Sequence, residues 1–338
     1  MLLSDLTTMH VGGPARLLVS PATRDELVAA TLDVWASGEP WLVLGGGSNV
    51  VVSDEGYDGS VIRVATRGID RATDGVPRLL VQAGEPWDAV VAYAVEHGLA
   101  GIEALSGIPG SAGAAPVQNI GAYGQEVGQS LLAIQFLDYL SGEVITLSAA
   151  ELELGYRTSA LKSGREGVVL AIELGLRASE VGVVAYPQLA DALGVALGAE
   201  VPLVEIRAGV LALRAAKGMV LDAADPDSVS CGSFFTNPIV SENFARGLPS
   251  DAPRWLMDDD ASVKLSAAWL IERAGVTRGF ALPGSRAAIS SKHTLAITNR
   301  GGATAEQVAE LARYIRARVL GQFGLELQPE PVLIGLEA

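Results

Sequence analysis

The sequence predicts an α+β protein with more than one domain, and three observations carry that expectation. A chain of 338 residues is longer than one small core organises. Short apolar runs bounded by Gly, Pro or Asp alternate with capped helical segments through the first part. The last third then carries helical patterns of its own. Hydrophobic residues at 49% against 19% charged place the chain among folded globular proteins, not disordered ones.

The elements follow in order. Thr23 with Glu26 writes a capping box ahead of an apolar run, so a helix starts there. Strands are predicted at 41–44 (WLVL), 50–52 (VVV), 60–64 (SVIRV) and 79–83 (LLVQA). The stretch 42–54, LVLGGGSNVVVSD, reads as strand, glycine-rich turn, strand. Pro86 and Gly98 bracket the next helix, as a proline in its first turn and a glycine past its end do.

Residues 107–124, GIPGSAGAAPVQNIGAYG, carry no charge and are rich in glycine, with two prolines. No ordinary helix or strand is written this way. Glycine admits positive φ and close backbone approach, and successive loop amides can form an anion-binding nest, so this reads as a loop around a phosphorylated ligand. Together with the turn at 45–49 it points to one large cofactor held from two sides. From 131 to 176 the signal is mostly strand, including AIQFLDYL and VVLAIELGL.

A helix is expected over 204–217, stopping at Gly218, and two more over 262–274 and 304–320. In the last, Val308, Leu311, Ala312, Ile315 and Val319 recur at helical spacing behind a Thr304 and Gln307 cap, which marks a core face. These helices place a compact α+β domain between Gly218 and Gly324. A short strand, PVLIG (331–335), follows Pro329-Glu330.

Composition excludes several classes. A net charge of −15 disfavours nucleic-acid and anionic-membrane partners, which need clustered Lys and Arg. Cys231 is the only cysteine, so no intrachain disulfide can form, and His10, His97 and His293 have no HExxH or CxxC companion, so no protein-ligated metal is expected. The N-terminus lacks a basic, then apolar, leader pattern and no stretch is fit to span a bilayer, which leads to an expectation of a soluble, cytoplasmic protein. There is no GxxxxGK[ST], no GxGxxG and no GxSxG, so the phosphate-binding loops belong to neither a P-loop nor a Rossmann fold, and no nucleophile elbow is present.

Taken together, GGGSN (45–49), GIPGSAGAAPVQNIGAYG (107–124), YRTSALK (156–162), GSFFTNP (232–238), AAWLIERAG (267–275), SSKHTLAITN (290–299) and LQPEPVLIG (327–335) resemble, in order and spacing, the UDP-N-acetylenolpyruvoylglucosamine reductase family. The first two motifs alone would specify only the wider vanillyl-alcohol-oxidase-type FAD fold; YRxSxLK, GSFFxNP and the terminal PE with its apolar run are specific to the reductase. The segment 177–202, with Tyr186 in it, looks like the extra loop of the longer subclass. Two departures stand out: the stretch 217–233 is longer than in some members, and Cys231 directly precedes Gly232, where a packing variation is expected.

The resemblance implies an FAD-binding fold of the vanillyl-alcohol-oxidase type, made of two α+β subdomains, plus a C-terminal α+β substrate domain. The implied boundaries are 1–66 joined by 325–338, then 67–216, then 217–324. It implies a two-step reduction in peptidoglycan precursor synthesis: NADPH gives hydride to non-covalent FAD, and the β carbon of the enolpyruvyl ether receives it while the α carbon is protonated. Such chemistry needs a fixed flavin, a cation at the substrate carboxylate and an acid.

Ser233 matches the family's acid, although by residue type alone it would be a turn serine. Arg157 matches the arginine facing the substrate carboxylate, where a planar fork grips both oxygens. Glu330 matches the terminal glutamate, which must be protonated during turnover or compensated by Arg157. Tyr186, Lys217 and Asn237 align with contacts to the UDP portion, Lys217 doubling as an ordinary helix-end lysine.

For FAD, Gly45, Gly46, Gly47, Ser48 and Asn49 and the run Gly107, Ile108, Pro109, Gly110 and Ser111 take the pyrophosphate and ribityl region, with Gln118, Asn119, Ile120 and Gly121 nearby. Two rival readings remain: an oxidase of the same FAD fold acting on a sugar or hydroxy acid, and a flavin-free UDP-sugar sensor. The first has no need of GSFFTNP with Pro329-Glu330; the second has no need of Ser233, Arg157 and Glu330 together.

Overall fold

The computed structural model describes residues 1–72, 75–257 and 261–337. Packing divides the chain into two compact units. One comprises Ala15–Gly47 and Asp58–Val220; the other comprises Met1–Pro14, Ser48–Tyr57 and Leu221–Ala338, of which Ala338 lies outside the described residues.

The first unit is built on a five-stranded antiparallel sheet in the order Val144–Ser148, Leu131–Asp138, Gly167–Gly175, Arg78–Gln82, Ile69–Arg71. The central strand, Gly167–Gly175, is buried through Val168–Ile172, as its continuous apolar run requires. A smaller sheet pairs Ala15–Val19 and Trp41–Leu44 with Tyr57–Arg63, the second pair in parallel.

Helix α1 (Arg24–Ala36) starts at the reciprocal Thr23 and Glu26 capping box that the sequence writes. Helix α2 (Trp87–Glu96) puts Val90, Val91, Ala94 and Val95 into the core, and Pro86 sits one position before it, at the N-cap. Within 177–202, Val181–Val183 pairs antiparallel with Glu200–Pro202 around helix α3 (Pro187–Leu193). Helix α4 (Leu203–Ala216) ends with Lys217 as its cap and Gly218 at φ +68, as glycine after a helix permits.

In the second unit Val332–Ile334 pairs in parallel with Val50–Val52. The glycine-rich turn at 45–49 is therefore not a hairpin loop, because the strands on its two sides enter different sheets. Ile239–Ser241 and Arg254–Leu256 flank Ser262–Leu265, and Ala287–Ile289 pairs with Ile297–Asn299. Helix α5 (Glu242–Arg246) is short. The expected helix over 262–274 is a strand and a helix: Val263 and Leu265 are buried while Ser262 and Lys264 are not, the two-residue period of a strand, and Ser266 then caps helix α6 (Ala267–Arg273) by accepting from the Trp269 amide. Helix α7 (Ala305–Phe323) buries Val308, Leu311, Ala312, Ile315 and Val319 behind its Thr304 and Gln307 capping box, as its periodicity requires.

Residues 1–14 and 48–57, which the sequence reading places with the first flavin subdomain, pack with the C-terminal part of the chain. Among the described residues, no helix is long and apolar enough to cross a membrane, and no cluster of three His, Cys, Asp or Glu side chains is arranged to hold a metal.

Candidate active site

In the first unit two glycine-rich stretches meet backbone to backbone. A Cβ on Gly46 would lie 2.7 Å from the Gly110 Cα, so that position needs glycine, and one on Gly45 would lie 2.5 Å from Ser111 Oγ. Ser111 Oγ is buried and without a hydrogen-bond partner among the described residues. A buried hydroxyl in a close-approach glycine cradle fits a polar ligand that supplies the missing partner. These residues suit the phosphate and ribityl oxygens of FAD.

The second half of the same loop is braced from the YRTSALK segment. Arg157 donates through Nη1 to Asn119 O (3.1 Å) and through Nη2 to Gly121 O (2.7 Å), and Ser159 Oγ donates to Val117 O (2.6 Å). Arg157 holds φ +55, left-handed backbone that a bulky residue adopts only where its surroundings demand it. The Asn119 side chain is committed to the protein: Nδ2 donates to Glu126 and to Gly155 O, and Oδ1 accepts from the Gly128 amide. Its amide donates to Pro116 O and its carbonyl accepts from Arg157, so Asn119 shapes the loop with side chain and backbone alike.

A third cluster forms around the end of α4. Lys217 Nζ donates to Gln188 Oε1 (2.8 Å) and sits 5.6 Å from the centre of the Tyr123 ring, which meets Tyr186 edge to face at 5.6 Å. Burial, and then the nearby Arg214 charge, hold the Lys217 ammonium below its ordinary pKa. Arg214 itself donates to Met219 O, while its Nε is shut off from solvent with no partner among the described residues. Its pKa is lowered by burial, with Tyr123 and Asp88 acting in the opposite sense. Two cations and two tyrosines converging on one surface suit an anionic ligand with a ring to stack. Sequence reasoning missed Tyr123 and Arg214. The available signal for Arg214 was its place three residues before Lys217, on the same helical face.

In the second unit the chain at 234–236 runs antiparallel beside 328–330. Glu330 N donates to Phe234 O (2.8 Å), Thr236 N donates to Gln328 O (3.1 Å), and Phe235 bridges Pro329. This pairing sets the Glu330 backbone against Phe234, the residue after Ser233, although 97 positions separate Ser233 from Glu330 in sequence. Asn49 holds the Glu330 segment from its other side, its Nδ2 donating to Glu330 O (3.3 Å) and its carbonyl accepting from Val332 N. Gly232 at φ +74 turns the chain immediately before Ser233, and the fully buried Phe234 and Phe235 anchor it immediately after.

Asn237 uses Oδ1 to accept the first amide of α6 (Ala267 N, 3.0 Å). Cys231 is buried, its thiol pushed up to about 12 by burial, and it rests against Val50 O at 3.5 Å. It is a packing residue, as expected. Of the three candidate catalytic groups, Ser233 and Glu330 belong to this unit and Arg157 to the other.

An FAD-binding domain model matches residues 15–148, which places the chain among the FAD-dependent proteins of this fold. A second model, UDP-N-acetylenolpyruvoylglucosamine reductase, C-terminal domain, matches residues 225–334. The reductase of Leifsonia xyli is 60% identical, with 99% of this chain and 98% of the relative covered, and that of Thermobifida fusca is 48% identical over 99% and 97%. The crystal structure of the reductase from Thermus caldophilus superposes with a TM-score of 0.67 at 31% identity, covering 99% of this chain and 97% of its own. The chain belongs to the UDP-N-acetylenolpyruvoylglucosamine reductase family.

Proposed function

We propose that this protein reduces UDP-N-acetylenolpyruvoylglucosamine to UDP-N-acetylmuramate at the expense of NADPH, in the cytoplasm, on the path to peptidoglycan. The reading is supported above all by the backbone pairing that joins Glu330 to Phe234, next to Ser233, in a chain of this FAD-dependent family. Bound FAD supplies the hydride chemistry, held by Gly45 to Asn49, Gly107 to Ser111 and Gln118 to Gly121. Ser233 delivers the proton to the α carbon; a hydroxyl is a weak acid in water, so it acts on a strongly basic carbon held within reach. Arg157 faces the substrate carboxylate, where negative charge accumulates as the alkene is reduced. Glu330 sits at the same reacting end.

Tyr186, Lys217 and Asn237 take the UDP portion, with 177–202 as the loop of the longer subclass. The functional division we favour is 1–66 with 325–338 and 67–216 as flavin subdomains and 217–324 as the substrate domain. Acid precipitation is expected to release the FAD, since neither glycine-rich stretch contains His or Cys to bond it. Reduced protein is expected to react slowly with oxygen but quickly with the enolpyruvyl substrate; the reverse preference would favour an oxidase, and a colourless protein that FAD does not restore would favour a sugar-nucleotide sensor.

Lys217→Ala is expected to weaken both substrate and NADPH, because the two ligands use one site in turn. Loss of a charge-assisted contact to a diphosphate costs about 10- to 100-fold in affinity. Only the charged amine attracts the anion, so affinity is expected to fall as pH rises through the lowered Lys217 pKa, earlier than for an ordinary lysine. Equal affinities in wild type and variant, measured by titration at two pH values, would leave Lys217 as a helix-end charge.

A further inference from the structure

The loop at 107–111 is moulded on four consecutive residues, Glu85, Pro86, Trp87 and Asp88. Trp87 Nε1 donates to Leu105 O (3.2 Å), Trp87 N to Gly110 O (3.1 Å), and Ala112 N to Glu85 O (2.8 Å). The fourth grip is made by a second side chain and takes the first residue of the loop: Gly107 N donates to Asp88 Oδ1 at 2.6 Å. Gly107 lies at φ +70, left-handed backbone that favours glycine, so the turn is sharp and its amide needs an acceptor. Arg207 of α4 holds that acceptor in a fork, Nη1 to Oδ1 at 2.6 Å and Nη2 to Oδ2 at 2.8 Å. Burial pushes the Asp88 carboxyl up, but Arg207 and the Gly107 amide outweigh it and hold it below the ordinary carboxylate range.

A carboxylate is electrostatically the wrong group to place under a loop that holds phosphates. It is tolerable only if its charge is cancelled, and both Arg207 and Arg214 act on it. We propose that Asp88, neutralised by Arg207, is a positioning residue for FAD: the carboxylate fixes the Gly107 turn, and the guanidinium keeps its charge from repelling the cofactor's pyrophosphate. The inference rests on the assignment of Gly107 to Ser111 to FAD.

It sets an unusual order of effects. Asp88→Ala removes the acceptor, and Arg207→Ala leaves the charge exposed; each is expected to weaken FAD binding about 10-fold or more. Asp88→Asn keeps an oxygen for Gly107 and carries no charge, so its FAD affinity is expected to stay within about threefold of wild type. The double variant with Asp88→Asn and Arg207→Ala is expected to bind FAD more tightly than Arg207→Ala alone.

The Kd is read from flavin fluorescence released on serial dilution of each holoenzyme, alongside its melting temperature. A helix-to-helix brace alone would lower the melting temperature of all four variants with Kd unchanged and no recovery in the double, and that result overturns the proposal. Gly110→Ala serves as the loop control. If it weakens FAD while Asp88→Ala and Arg207→Ala do not, the clamp is wrong and the loop assignment stands; if it too leaves Kd unchanged, the loop assignment itself fails. Should Asp88→Ala not fold, the contrast between Arg207→Ala and the double variant still decides.

Discussion

Ser233→Ala is expected to leave bleaching of the visible spectrum by NADPH at its normal rate and to slow the return of colour on adding substrate by about 10²–10⁴-fold, the usual cost of losing a general acid. The first step takes no proton from a serine, whereas saturating the enolpyruvyl double bond does. The fold gives the variant a fair test, because Ser233 is carried between Gly232 and the buried Phe234, and the local pairing runs through the backbone of 234–236 and 328–330. Removing Oγ leaves those bonds in place. Ser233→Cys is expected to keep part of the rate, since a thiol can donate from nearly the same position. Two-step anaerobic stopped-flow mixing separates the steps. Equal slowing of both would make Ser233 a shaping residue, and a fast second step in Ser233→Ala would pass the acid role to Glu330, which pairs with the adjoining Phe234.

Arg157→Ala is expected to reduce substrate turnover about 10²–10³-fold at saturating FAD, the scale on which a preorganised charge stabilises a developing anion. FAD affinity should fall as well, because Asn119 O and Gly121 O lose the donors that hold their loop. Arg157→Lys should rescue little. An ammonium cannot span two carbonyls or two carboxylate oxygens as the planar fork does, and the replacement must still adopt the left-handed φ of +55. Steady-state rates at several FAD concentrations separate the two roles. If excess FAD restores full turnover to Arg157→Ala, the arginine is a brace for the loop and the carboxylate role is wrong.

Local signals carried much of the fold. The capping boxes at Thr23 and Thr304 were legible because a reciprocal cap involves only residues three apart, and the buried stripe of α7 because its period is that of a helix. The stretch 262–274 was misjudged because four alternating residues are too short a signal against the helix that follows Ser266. Contacts far apart in sequence left no local trace. Asp88 meets Arg207 across 119 positions, and neither position announces the other. Ser233 and Glu330 could be brought together from sequence only through family motifs. Tyr123 was hidden inside a glycine-rich run, and its approach to Lys217 and Tyr186 exists only once α4 and the 177–202 segment are folded.

The most direct test is a single anaerobic turnover on the yellow holoenzyme. One equivalent of NADPH is added, the bleached spectrum is recorded, and UDP-N-acetylenolpyruvoylglucosamine follows. The expected result is full bleaching, rapid return of the oxidised spectrum, and one equivalent of a sugar nucleotide heavier by two hydrogens; run in deuterium oxide, its α carbon carries deuterium. A spectrum that stays bleached until oxygen is admitted, with the enolpyruvyl sugar recovered unchanged, would contradict the assignment.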